Sequence, residues 1–184
     1  MEMIEHTYTI QWVGPMSYDE LKSYLNSSET LSPELFNLYY FEARKDKRCN
    51  WHTYFGIHKQ NDGINKRVNT THEHLGPFIK EGAKDIRIWL GSFAREKDQK
   101  SLNIDIVETL FIQAYNKKLT ENTMKKGSLP MSSVCIINTY YGINEITTRR
   151  RKDKPSVFDD VLIYLSESNS FMHGNLAKII NHYK

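Results

Sequence analysis

Cysteine, long apolar runs and a large net charge are all scarce in this 184-residue chain. Its two cysteines, Cys49 and Cys135, lie far apart in unlike surroundings, so the sequence implies no disulfide framework and no zinc ligand set. No apolar run approaches the length that spans a bilayer, and the N-terminus lacks the basic-then-apolar layout of a signal peptide. We therefore expect a protein of the reducing cytoplasm with no membrane partner.

The overall composition predicts one folded domain over residues 1–184. The chain is 39% hydrophobic and 26% charged, which is typical of a globular protein and excludes a disordered one. A net charge of +3 permits nucleic-acid binding without requiring it. The basic residues are unevenly distributed, however, and the densest cluster is Arg149–Lys154.

Hydrophobic periodicity and turn residues divide the chain into short elements. Ser17 and Glu20 have the spacing of a capping box and predict the start of a helix. Gly14–Pro15 is expected to end the first strand, and Gly76–Pro77 to end a later helix. We expect strands at residues 7–13, 37–43, 51–57, 86–90, 134–138, 161–165 and 170–173, and helices at 17–25, 64–75, 103–115 and 176–183.

Two of these strands form a predicted hairpin that places two tyrosines together. The charged stretch 44–50 is turn-like and separates a strand containing Tyr39 from one containing Tyr54. Alternation along a strand puts Tyr39 and Phe41 on one face and Tyr40 on the other. We expect the hydroxyls of Tyr39 and Tyr54 to open into one cleft.

The segments Asn37-Leu38-Tyr39 and Tyr54-Phe55-Gly56, followed by Arg67 and Glu108, resemble the motifs of the GIY-YIG nuclease superfamily over about residues 36–122. The resemblance implies an α+β fold with a small central antiparallel sheet of about three strands flanked by helices. Residues 1–35 and 123–184 would then be N- and C-terminal extensions of this core.

The resemblance also implies the roles of the site residues. Tyr39 would activate or orient the attacking water, and Tyr54 would help to align the phosphate. Arg67 would grip the phosphate, because a planar guanidinium can offer it two-point contact. On helical geometry His74 shares the face of Arg67, whereas His72 is expected to be a packed histidine satisfied locally.

Glu108 is expected to bind the metal. It lies beside the apolar stripe of the clearest helix, where a carboxylate needs a partner: either a basic side chain or a hard divalent cation. The resemblance favours the cation, Mg²⁺ or Mn²⁺, and places Asn122 in the site through the outline Glu108-Thr-Leu-Phe-Ile112 followed by Lys118-Leu119-Thr120-Glu121-Asn122.

The leading hypothesis is therefore a Mg²⁺-dependent endonuclease that hydrolyses DNA phosphodiester bonds. Nearby phosphates would be contacted by the basic cluster, specifically by Arg149, Arg150, Arg151 and Lys152. Two alternatives remain open: an inactive nucleic-acid-binding module of the same fold, and an unrelated α+β interaction protein. A protein partner or oligomer could supply targeting, and the DNA specificity and biological role stay open.

Overall fold

The computed structural model describes residues 2–27, 35–59, 63–122, 128–143, 153–176 and, by their backbone, 145–149. The strands are β1 (His6–Met16), β2 (Leu38–Arg44), β3 (His52–Ile57), β4 (Asp85–Phe93), β5 (Val134–Gly142), β6 (Glu145–Arg149), β7 (Val161–Leu165) and β8 (Ser170–Gly174). The helices are α1 (Tyr18–Asn26), α2 (Gly76–Lys80) and α3 (Ser101–Ala114), with 3-10 turns at Ile64–Lys66 and Glu96–Asp98.

In the part of the chain that the structure describes, all eight strands belong to one mixed sheet. Seven follow the order β3-β2-β4-β1-β5-β7-β8, and β6 pairs with β5. β1 and β5 run parallel, whereas the other pairs are antiparallel. The sheet curls into a half-barrel.

The predicted fold class is wrong. The hairpin and β4 do pair as expected, but they form only one end of a sheet that is more than twice the predicted size. The segments expected to be extensions supply β1, which extends the sheet beyond β4, and β5, β7 and β8, which complete it. Without β1, the backbone N–H and C=O groups along one side of β4 would form an open sheet edge. β1 pairs with these groups and so removes the edge.

Each face of the sheet has its own core. The α3 face contains Tyr40 of β2, Phe55 of β3 and Trp12 of β1, packed against α3. The opposite face, the α1 face, contains Tyr39 and Phe41 of β2, packed with residues of α1 and of segment 64–80. The predicted alternation of Tyr39 and Tyr40 is confirmed, because their rings belong to different cores.

The N-terminal region corrects one expected boundary. β1 continues through Gly14–Pro15 to Met16, with a shift of register between Val13 and Met16. Gly14 has a φ of 146°, and a β-carbon there would lie 2.6 Å from the Ile88 carbonyl oxygen, so glycine allows the close approach of β4. The capping box of Ser17 and Glu20 is confirmed at the start of α1.

The segment before β4 also differs from the prediction. Residues 64–66 form a 3-10 turn, and the regular helix begins rather than ends at Gly76–Pro77. Proline is tolerated in the first helical turn, where its missing N–H would have no partner within the helix. Residues 67–75 therefore form turns, which carry Arg67, His72 and His74 across the α1 face.

The C-terminal strands agree with the predicted hairpin: β7 pairs antiparallel with β8. The predicted last helix lies outside the described residues after Leu176. No helix in the described ranges is both long and apolar enough to cross a membrane.

Candidate functional site

The two motif tyrosines lie together on the α1 face. Tyr39 pairs with Gly56 in the antiparallel register of β2 and β3, and Tyr54 lies two residues earlier on β3. Their rings are stacked, with centroids 5.9 Å apart and an interplanar angle of 29°. A β-carbon on residue 56 would overlap the Tyr39 ring and its hydroxyl, so the motif glycine makes room for Tyr39.

His72 holds the Tyr39 hydroxyl by a hydrogen bond. Its Nδ1 accepts hydrogen bonds from the backbone N–H groups of His74 and Leu75, both at 3.1 Å. The ring hydrogen must therefore be on Nε2, which donates to Tyr39 Oη at 2.8 Å. Burial lowers the pKa of His72 to about 4, with help from the nearby Arg67 and His74. The expected packed and locally satisfied histidine is confirmed.

Arg67 is the second donor to the Tyr39 hydroxyl. Its Nε donates to Oη at 3.3 Å, while the residue as a whole is exposed. The Tyr39 side chain is fully buried, and burial raises its pKa well above the ordinary value, reinforced by Tyr54 and opposed by Arg67. The expectation that this hydroxyl opens into a cleft is wrong, because His72 and Arg67 cover it and the ring packs in the α1-face core.

The half-exposed layer of the site consists of Tyr54, His74 and Glu121. The ring of His74 stacks on Tyr54 at 4.8 Å, and its Nδ1 lies 3.2 Å from Glu121 Oε2. His52 Nδ1 contacts the other carboxylate oxygen of Glu121 at 2.7 Å. Burial alone would raise the pKa of Glu121, but the hydrogen bonds from His52 and His74 outweigh it and hold this pKa below its ordinary value.

Asn122 lies beside Glu121 and pairs with the outer edge of β3. Its Oδ1 accepts from the Phe55 N–H at 2.8 Å, and its Nδ2 donates to the Phe55 carbonyl at 2.7 Å. The Thr120 hydroxyl oxygen accepts from the Thr53 N–H, and the Glu121 backbone N–H donates to the Thr53 carbonyl. Segment 118–122 thus covers the edge of β3 and holds Glu121 in place, so Asn122 has a structural role here and its catalytic role stays a prediction.

Glu108 lies on the other side of the sheet from Tyr39. It is 6% exposed on α3, whose apolar residues Ile104 and Phe111 pack into the α3-face core. Glu108 also takes part in an interaction within the protein. The helix that carries Glu108 and the ring of Tyr39 are therefore on opposite faces, and the role of Glu108 stays a prediction.

A magnesium site at Glu108 does not fit these surroundings. Mg²⁺ keeps several water or phosphate oxygens around it, which needs an open carboxylate. Glu108 is buried, and its helix neighbours Ile104, Val107 and Phe111 belong to the α3-face core. Within the described ranges, no three His, Cys, Asp or Glu side chains are grouped so that they could hold a metal ion.

The side chains of the predicted DNA-contacting cluster are not among those that the structure describes. Arg150, Arg151 and Lys152 lie outside the described residues, and Arg149 is described only as the backbone end of β6. Their expected contacts with phosphate therefore stay predictions.

Sequence reasoning missed two members of the site, His52 and Glu121. Strand parity carried a usable signal for the first, because His52 and Tyr54 are two residues apart on one strand and share a face. Glu121 had no comparable signal, since its place depends on the pairing of segment 118–122 with β3, about 67 residues away in sequence.

Comparison with protein-family models, with curated proteins and with solved structures finds no match to this chain.

Proposed function

We propose that the protein is a cytoplasmic endonuclease that hydrolyses phosphodiester bonds in DNA, with Arg67 and Tyr54 at the phosphate. The observation that carries this proposal is the grouping of Arg67, both motif tyrosines and His74 on one face of the hairpin. Together with the motif resemblance, this grouping supports phosphoryl chemistry more than a purely structural cluster.

Arg67 suits the phosphate-binding role. Its Nε is held by Tyr39, which fixes the direction of the guanidinium. A guanidinium has five N–H donors in a fixed plane, so the remaining donors can bond two phosphate oxygens. Such donors offset the negative charge that develops on the phosphate in the transition state.

Tyr54 and Tyr39 would have different roles. Tyr54 is half-exposed and lies between Tyr39 and His74, so its hydroxyl can form a hydrogen bond with a phosphate oxygen or a water molecule. Tyr39 is fully buried and would act by orienting Arg67 and Tyr54. A requirement for Mg²⁺ or Mn²⁺ stays part of the proposal, to be tested by adding and removing the ion.

One observation favours the alternative of a nucleic-acid-binding module without cleavage. Burial raises the pKa of Tyr39, so its hydroxyl stays protonated and has no phenolate to take a proton from water. A module that binds phosphate through Arg67 would not need Tyr39 to ionise.

The experiment is a nicking assay on supercoiled plasmid, with Mg²⁺, with Mn²⁺ and with a chelator. The test variant is Arg67→Ala, and the matched control is Lys66→Ala, which removes an exposed positive charge one residue away. A Glu108→Ala variant tests the expected metal ligand separately.

Nicking that is lost in Arg67→Ala and kept in Lys66→Ala supports the enzyme. DNA binding without nicking by the unaltered protein supports the binding module. Neither binding nor nicking supports an interaction protein whose tyrosines are packing residues.

A further inference from the structure

We infer that Glu121 and His74 form a carboxylate–histidine pair in which Glu121 holds His74 as the general base of the site. This inference rests on the proposed function and names the group that takes the proton from the attacking water. It differs from the expectation that Tyr39 activates the water, and it uses a carboxylate that lies at the tyrosines rather than on α3.

The contact with Glu121 decides which nitrogen of His74 is available. A carboxylate can only accept, so the Nδ1 that lies 3.2 Å from Glu121 Oε2 must carry a hydrogen. In the neutral ring the lone pair is then on Nε2. His74 is 27% exposed, so this lone pair belongs to a side chain that solvent and substrate can reach.

Three contacts hold His74, two through its ring and one through its backbone. Its ring stacks on Tyr54, its backbone N–H donates to His72 Nδ1, and its Nδ1 faces Glu121. A base whose ring is fixed in this way loses little freedom when the substrate binds. Tyr54 links it to Tyr39 and Arg67, so the base and the phosphate-binding arginine lie around the same tyrosine pair.

Glu121 is also fixed independently of His74. Its backbone N–H donates to the Thr53 carbonyl at 3.1 Å, and the next residue, Asn122, bonds Phe55 on both sides of its amide. His52 contacts the second carboxylate oxygen at 2.7 Å. The ring of His52 packs at a tilt against Phe78, with centroids 5.1 Å apart, whereas the ring of His74 stacks on Tyr54. We therefore assign the base to His74 and the support of the carboxylate to His52.

The step balances with the chain's own groups and water. Nε2 of His74 takes a proton from water while the water oxygen forms a bond to phosphorus. The bond from phosphorus to the leaving sugar oxygen breaks, and that oxygen takes a proton from solvent. His74 then returns its proton to solvent. Glu121 touches neither substrate nor water in this step and is a positioning residue.

The test combines nicking kinetics with the protonation pattern of His74. In Glu121→Gln we expect kcat to fall about 10–100-fold, with KM within about threefold, because positioning of a base acts on the chemical step. His52→Ala should have a smaller effect than His74→Ala.

Nitrogen NMR of the imidazoles provides a readout that does not depend on cleavage. We expect hydrogen on Nδ1 of His74 in the unaltered protein and a shift toward hydrogen on Nε2 in Glu121→Ala. Hydrogen on Nε2 in the unaltered protein would overturn the inference, as would an unchanged kcat in a folded Glu121→Gln variant. If the unaltered protein does not nick DNA, the proposed function fails, while the NMR result still decides whether Glu121 holds His74.

Discussion

The ring of Tyr39 lies directly across Gly56, its partner in the neighbouring strand, with no space for a β-carbon between them. The same missing β-carbon lets Tyr54 lie against Tyr39, because a side chain on residue 56 would also come within 2.7 Å of Tyr54 Cε1. The glycine of the second motif therefore has a packing role that follows from the structure alone.

This relationship predicts that Gly56→Ala destabilises the protein. The added methyl group must displace the buried Tyr39 ring, and overpacking of this kind costs about 1–3 kcal/mol. Urea unfolding would measure the loss. Gly174→Ala is the matched control. A β-carbon at residue 174 would lie 3.3 Å from Val161, near the end of edge strand β8, which is a milder approach than the overlap at residue 56. Equal losses in the two variants would contradict the close packing of Tyr39 on Gly56.

The buried His72 predicts a pH-dependent part of the stability. The folded protein keeps His72 neutral down to its pKa of about 4, whereas in the unfolded chain it binds a proton near its ordinary value of 6.5. Between these two pKa values the unfolded chain binds more protons at His72 than the folded protein does. The free energy of unfolding therefore falls as the pH drops from about 6.5 to about 4. The loss assigned to His72 is about 2–4 kcal/mol.

The measurement is the free energy of unfolding between pH 4 and pH 7, for the unaltered protein and for His72→Gln. The variant cannot titrate at this position, so its stability should depend less steeply on pH in this window. Titration of the His72 ring near pH 6.5 in the folded protein, followed by NMR, would disprove the assigned state.

Asn122 predicts a loss of stability that is separate from catalysis. Asn122→Ala removes both bonds to the Phe55 backbone, and each is worth about 0.5–1.5 kcal/mol net. We expect a loss of about 1–3 kcal/mol in urea unfolding, whereas Lys117→Ala, an exposed neighbour, should have little effect. If Asn122→Ala stops nicking with unchanged stability, Asn122 belongs to the chemistry as the resemblance implies.

The local parts of this fold were predictable from the sequence. The Ser17–Glu20 capping box, the tyrosine hairpin and the C-terminal hairpin all depend on residues close together in the chain. The apolar stripe of α3 is also a local pattern, and the predicted helix at 103–115 matches Ser101–Ala114 within about two residues. Periodicity shows that a segment is a strand or a helix, and it shows which residues share a face.

The size of the sheet could not be predicted in the same way. Strand patterns do not say which strands pair, and the parallel pairing of β1 with β5 joins residues such as Trp12 and Asn138 that are far apart in sequence. The position of Glu121 could not be predicted for the same reason, because it depends on which segments pair. The resemblance places the metal-binding carboxylate at Glu108, whereas the edge pairing of segment 118–122 brings another carboxylate, Glu121, to His74 beside Tyr54.

The last prediction concerns the basic cluster Arg149–Lys152, for which solvated surface is the simpler interpretation. If these side chains bind phosphates, log affinity for duplex DNA should fall with log salt by about 0.9 per contact. The four cannot all face one way on a regular strand or helix, so we expect about two contacts. Replacing all four by alanine should weaken binding and flatten the slope by about 1.8, while the chemical step at saturating DNA is unchanged.

A control variant with the same loss of charge separates contact from overall charge. It replaces four exposed lysines elsewhere by alanine: Lys22, Lys80, Lys84 and Lys97. Because salt screens distant charges, this control should change the slope much less than the cluster variant. An unchanged slope in the cluster variant would show that Arg149–Lys152 is only solvated surface. The duplex would then be expected at the lysines around Lys117 and Lys125, whose replacement should flatten the slope instead.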